Sequence, residues 1–124
     1  MHFNTALLTA LMAGTSFATI NYGKARYDNG NVDNAIWIDG ENACTYVYQG
    51  HDSDNPCNFN GGKFQAQNGV QYFMRDCGNS AFHLENADGS FNSYAHANPY
   101  NNAGSGCSNS GGRYHVDQQW SFYN

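Results

Sequence analysis

The residues best suited to chemistry lie in the C-terminal third of this 124-residue chain. Tyr94 and His96 stand two apart, and Arg113 and His115 repeat that spacing. A phenol, two imidazoles and a guanidinium are the groups that move protons and stabilise charge at a phosphoryl centre. Asp52 and Asp54 form a second constellation, a fragment of a calcium-loop pattern. An EF-hand requires glycine at its sixth position and a bidentate glutamate at its twelfth. Those positions hold Cys57 and Lys63, which excludes the regular loop and leaves an irregular site of Asp52, Asp54 and backbone carbonyls beside the plainer reading, an acidic turn. His51, His83, His96 and His115 lack the mutual spacing of metal ligands, and no metal or other cofactor is expected. No Gly-x-Ser-x-Gly elbow singles out a nucleophilic serine.

The stretch Asn92-Ser93-Tyr94-Ala95-His96 resembles the Asn-Ser-Tyr-x-His segment of small secreted fungal guanyl-specific ribonucleases. The resemblance implies that Tyr94 hydrogen-bonds the phosphate and that His96 is a general base or electrostatic stabiliser. The family pattern continues with a glutamate, an arginine and a second histidine. Arg113 and His115 follow here, but no glutamate occurs after Glu85. The formal charge of −5 opposes a polyanionic substrate and an anionic membrane surface, so no nucleic-acid partner is expected.

Aromatic side chains are the other candidate surface, at 15% of the chain with tyrosine foremost. Trp37, Tyr46, Tyr48, Tyr100 and Trp120 are the expected binding residues, able to stack on a sugar or anchor a partner protein. Tyr46 and Tyr48 are expected on one face of a strand, by alternation.

Positioning these groups requires strands. Asn68-Gly69 is a strong hairpin signal, because a two-residue type I′ turn needs positive φ at both central positions. That turn would set Gln67 against Val70, Gln65 against Tyr72 and Phe64 against Phe73, with Tyr72 and Phe73 on opposite faces. Further strands are expected over residues 19–27 (with Gly23 marking a bulge), 35–38, 43–48, 81–85 and 90–94. A closing pair is expected over 113–116 and 119–123, around Asp117-Gln118. The Asn-, Gly- and Ser-rich stretch 95–112 reads as a loop pinned by Cys107. Short strands with regular turn signals and no helical periodicity indicate an all-β fold, a small disulfide-stapled antiparallel sandwich or barrel.

The first eighteen residues read as a secretory leader, with an apolar run from Ala6 to Ala13 and small residues at Ser16 and Ala18 before the cut. The remainder, residues 19–124, is expected to form a single domain without a membrane anchor. Cys44, Cys57, Cys77 and Cys107 read as two disulfides, with three pairings open. A simple meander would place Cys44 away from Cys77.

The leader, the four cysteines and the small Asn/Gly/Tyr-rich body together resemble small secreted cysteine-containing proteins of filamentous fungi, many of them effectors. This resemblance implies a secreted, monomeric, non-enzymatic binding protein that acts on an extracellular protein or glycan of a host or competitor. The alternative is a small secreted ribonuclease-like hydrolase centred on Tyr94, His96, Arg113 and His115. Clustering of those four side chains would favour the enzyme, and dispersal the binder.

Overall fold

A computed structural model describes residues 18–124; the expected leader therefore lies outside the described residues, apart from Ala18. Eight strands follow in chain order: β1 (Ile20–Tyr27), β2 (Val32–Ile38), β3 (Val47–His51), β4 (Lys63–Gln65), β5 (Gln71–Arg75), β6 (His83–Asn86), β7 (Phe91–Asn109) and β8 (Gly112–Tyr123). All pairings are antiparallel, in the order β3-β2-β1-β8-β7-β6-β5-β4. Followed around the sheet, this is chain order, with β1 hydrogen-bonded to β8. The sheet is thus an up-and-down barrel, nearly closed, whose open seam lies between β3 and β4. Two disulfides staple it, Cys44–Cys107 and Cys57–Cys77.

Side-chain amides span the seam. Gln49 on β3 is 1% exposed and donates from Nε2 to the carbonyls of Pro56 (3.1 Å), Phe59 (3.2 Å) and Lys63 (3.5 Å). Gln67 accepts from the Ile38 amide at 2.8 Å and donates to Thr45 Oγ1 at 2.9 Å. Where no ladder is possible, these two residues satisfy backbone groups that would otherwise lack partners.

Gln67 has this role because the hairpin register differs from the expected one. Phe64 pairs with Tyr72 and Gln65 with Gln71, so the loop is Gln67-Asn68-Gly69, three residues rather than two. The Gly69 amide bonds to the Ala66 carbonyl and Gly69 adopts φ +85°, the left-handed residue of a three-residue hairpin. Phe64 and Tyr72 consequently face one another inside the barrel, with ring centroids 5.7 Å apart. The expected opposition of Tyr72 and Phe73 holds, since only Tyr72 is buried.

Three other expectations are corrected. Residues 43–45 form a short 3-10 turn capped by Asn42, and the strand runs from Val47 to His51. The Asn-rich stretch after Tyr94 is not a loop but the continuation of β7. Its partner is one unbroken β8, not two strands around Asp117-Gln118. Between the pairs Ala97–Trp120 and Cys107–Tyr114, ten steps along β7 match six along β8. Repeated bulges absorb the difference, and small or polar residues tolerate them.

Alternation along β2 separates two cores. Ile36 faces the barrel interior with Ile20, Tyr22, Met74, Leu84 and Phe122. Its neighbours Ala35 and Trp37 face a second cluster, with Ala25, Ala43, Tyr114 and Val116, closed by the Cys44–Cys107 bridge. β8 serves both cores by a bulge. Tyr22 pairs with Trp120 but Gly23 with Gln118, so Gln119 is the extra residue. It switches the even-numbered side chains of β8 from the barrel interior (Phe122) to the second cluster (Tyr114, Val116). The bulge expected at Gly23 is therefore present, and Gly23 is required there: a Cβ would stand 1.9 Å from the Asp117 carbonyl oxygen.

Candidate functional site

On the outer face of β6, β7 and β8 the register places His83 opposite Tyr94, and Tyr94 opposite Tyr123. Cross-strand partners share a face, so the three side chains form a row. His96, two residues beyond Tyr94, extends it and stacks on Tyr123 at 4.0 Å between centroids. Phe91 belongs to the row through a bulge: Leu84 pairs with Ser93 and Glu85 with Phe91, which leaves Asn92 as the extra residue. Plain alternation would have turned Phe91 away from Tyr94. Instead its ring lies 4.6 Å from Tyr94 and 5.7 Å from His83. Phe91, Tyr94 and Tyr123 are 47%, 54% and 44% exposed.

Polar contacts fix the edges of this strip. His83 Nδ1 donates to the Ala81 carbonyl at 2.7 Å, and its Nε2 meets Glu85 Oε2 at 3.2 Å. Arg75 Nε donates to the other Glu85 oxygen at 3.3 Å. The hydrogen bond with His83, together with Arg75, holds the Glu85 carboxyl below the usual range. His96 Nε2 donates to the Tyr123 carbonyl at 2.9 Å. The rings are held in place, with two tyrosine hydroxyls at the surface.

The remaining candidates are scattered over the molecule. Arg113 pairs with Ser108 near the β7–β8 turn, whereas His96 pairs with Ser121. The six residue steps from His115 to Ser121 span roughly 20 Å of strand. His115 instead meets Asp117 at 3.3 Å. Tyr94 and His96 are thus brought together, but Arg113 and His115 are not brought to them.

Trp37 is 3% exposed and packs in the second core, so it presents no stacking face. Tyr100 is 63% exposed and stacks on no aromatic ring among the described residues. Trp120 is partly buried against Phe82 at the barrel mouth. Tyr46 and Tyr48 line one shallow groove, although Tyr46 precedes the strand. In that groove Asn109 Nδ2 donates to Tyr27 Oη (2.9 Å), and Tyr46 donates to Asp33 Oδ2 (2.9 Å). Tyr27 must then donate to Tyr46 across their 2.6 Å contact, since the Tyr46 proton is committed to Asp33. Burial first, and then the bonds with Tyr27 and Asp33, hold the Tyr46 hydroxyl far above the usual phenol range and keep it a donor. His51 Nδ1 meets Asp33 Oδ1 at 3.2 Å and completes the chain.

Sequence reasoning missed Phe91, His83 and Tyr123 as members of one surface. The signal available was the aromatic content of the two terminal strands; the Asn92 bulge that aligns them has no distinctive residue. Asp52 is committed to Lys24 at 2.7 Å and Asp54 to the His51 amide at 3.0 Å. No group of three or more potential metal ligands occurs among the described residues.

No protein-family model, curated protein or solved structure matches the chain.

Proposed function

We propose that this chain is a secreted, non-enzymatic binding protein of the fungal effector type, which docks on an extracellular protein or glycan of a host or competitor. The observation that carries this reading is the exposed strip of Phe91, Tyr94 and Tyr123 flanked by His83 and His96. Aromatic side chains held by their neighbours lose little entropy on docking and bury large areas, which is why they dominate binding hot spots. Two disulfides are compatible with a chain working in an oxidising, extracellular setting. The wide separation of His115 and Arg113 from Tyr94 and His96 supports binding over ribonuclease chemistry, which needs its acid, base and cation within reach of one phosphate.

The test is retention of fluorescently labelled protein on intact plant or fungal cells. The triple variant Phe91→Ser, Tyr94→Ser, Tyr123→Ser is expected to lose retention at least about tenfold, since each hot-spot aromatic contributes roughly 2 kcal/mol. Equal retention by a folded triple variant would remove the strip from the proposal. Release of acid-soluble nucleotides from RNA by the unaltered protein would restore the hydrolase.

A further inference from the structure

At the barrel mouth a hollow of about 630 Å³ lies beside Trp120, floored by Tyr22, Phe82 and Trp120 and rimmed by Asn55, Asn79 and Gln119. It is separate from the aromatic strip and shares no residue with it. We propose that it is a binding site for a neutral sugar ring, the terminal unit of an uncharged oligosaccharide.

The chemistry of the lining selects the ligand. None of the ten lining residues carries a formal charge, and the Lys24 ammonium 3.4 Å from the Tyr22 hydroxyl is already paired with Asp52 at 2.7 Å, so a phosphate or carboxylate placed there would lose its water without gaining a free counter-charge. A wholly apolar ligand is disfavoured for the opposite reason, because it would cover amides and a hydroxyl that need partners. A pyranose satisfies both demands. Its C–H face packs on an aromatic ring, and its hydroxyls are donors and acceptors around the edge. The volume lies within the usual range for small-molecule sites, which favour the mouths of β-barrels.

The polar groups are built for this and are not spent on the fold. Asn55 Oδ1 accepts from the Cys57 amide at 2.9 Å, and Asn79 Oδ1 from the Ala81 amide at 2.8 Å. Each turn fixes its side chain by the oxygen and leaves the NH₂ group without a hydrogen bond among the described residues. The Gln119 amide, the Ser80 hydroxyl and Trp120 Nε1 also make none there. Gln119 is the bulge residue of β8, and bulges re-aim side chains beside binding sites. The rim is rigid as well: Cys57–Cys77 joins its two loops, and the Cys77 amide points at Cys57 Sγ at 3.1 Å. A rim already in place costs little ordering on binding.

The two tryptophans make the test direct, because one lies in the hollow and the other in the second core. In an amide spectrum of ¹⁵N-labelled protein they give two indole N–H resonances, assigned with Trp120→Phe. The protein is titrated with gluco-, chito- and manno-trisaccharides to about 10 mM, beyond the millimolar constants of weak single-site ligands. Adenosine and a triuronic acid serve as contrasts. The Trp120 indole is expected to shift saturably with at least one neutral trisaccharide while Trp37 stays fixed. Gln119→Ala should weaken that titration about fivefold with the rest of the spectrum unchanged, and the triple strip variant should leave it intact. The proposal is overturned if no neutral trisaccharide moves Trp120 saturably, if adenosine or the triuronic acid moves it equally, or if both indoles move together.

Discussion

Gln49 shows how far a single residue can determine this barrel. Its buried amide serves carbonyls on the far side of the seam, where no strand pairing exists. Gln49→Leu keeps the volume and removes the donors. It should destabilise by about 1–3 kcal/mol, the cost of carbonyls left unpaired in the interior. Urea titration should show a lower midpoint with an unchanged slope. Acid should act through carboxyls that their partners hold low, Asp52 and Glu85 among them. The hydrogen bond from Lys24 holds Asp52 below the ordinary carboxylate range, and that with His83 does the same for Glu85. A carboxyl whose folded pKa is depressed contributes stability that is complete above its unfolded value and is lost as pH falls through the folded one. The melting temperature should therefore fall as pH drops below about 4. Glu85→Gln should flatten part of that dependence, and a melting temperature unchanged between neutral pH and pH about 3 would contradict it.

At the scale of elements, the bulge between β1 and β8 switches the face of an entire strand. Gly23→Ala would drive a methyl group into the Asp117 carbonyl, so the bulge must shift or open. A loss of at least about 2 kcal/mol is expected by thermal or urea unfolding. This element was legible in advance, because a glycine interrupts an otherwise alternating strand. So were the hairpin at Asn68-Gly69 and the existence of most strands, since alternation and turn residues are local. Register was not. A two-residue and a three-residue loop both suit Asn-Gly, and the three-residue form prevails because it sets Phe64 and Tyr72 face to face inside the barrel. The long arm of β7 was illegible for a related reason. Its asparagines, glycines and serines have poor strand propensity, and only pairing with β8 makes them extended. The aromatic strip depended on the Asn92 bulge, which one ordinary asparagine does not announce.

The whole molecule has two cores and one bridge associated with each. Cys44–Cys107 spans 63 residues and closes the second cluster, whereas Cys57–Cys77 spans 20 and ties the barrel mouth. Loop-closure entropy assigns them roughly 4 and roughly 3 kcal/mol. Free-thiol labelling of the native protein should find no thiols, and full reduction should lower the melting temperature by well over 10 °C, at about 4–8 °C per kcal/mol for a domain of this size. The same frame positions the surface proposed for docking. The strip sits on three adjacent strands of a stapled barrel and not on a loop. The measurement that tests the account most directly is cell-surface retention of the protein beside two variants of matched fold. The Phe91→Ser, Tyr94→Ser, Tyr123→Ser variant is predicted to lose at least about tenfold, while Tyr100→Ser, which removes a still more exposed ring outside the strip, is predicted to keep full retention. Full retention by the first variant, or an equal loss in the second, would contradict the central claim that this face is where the protein binds.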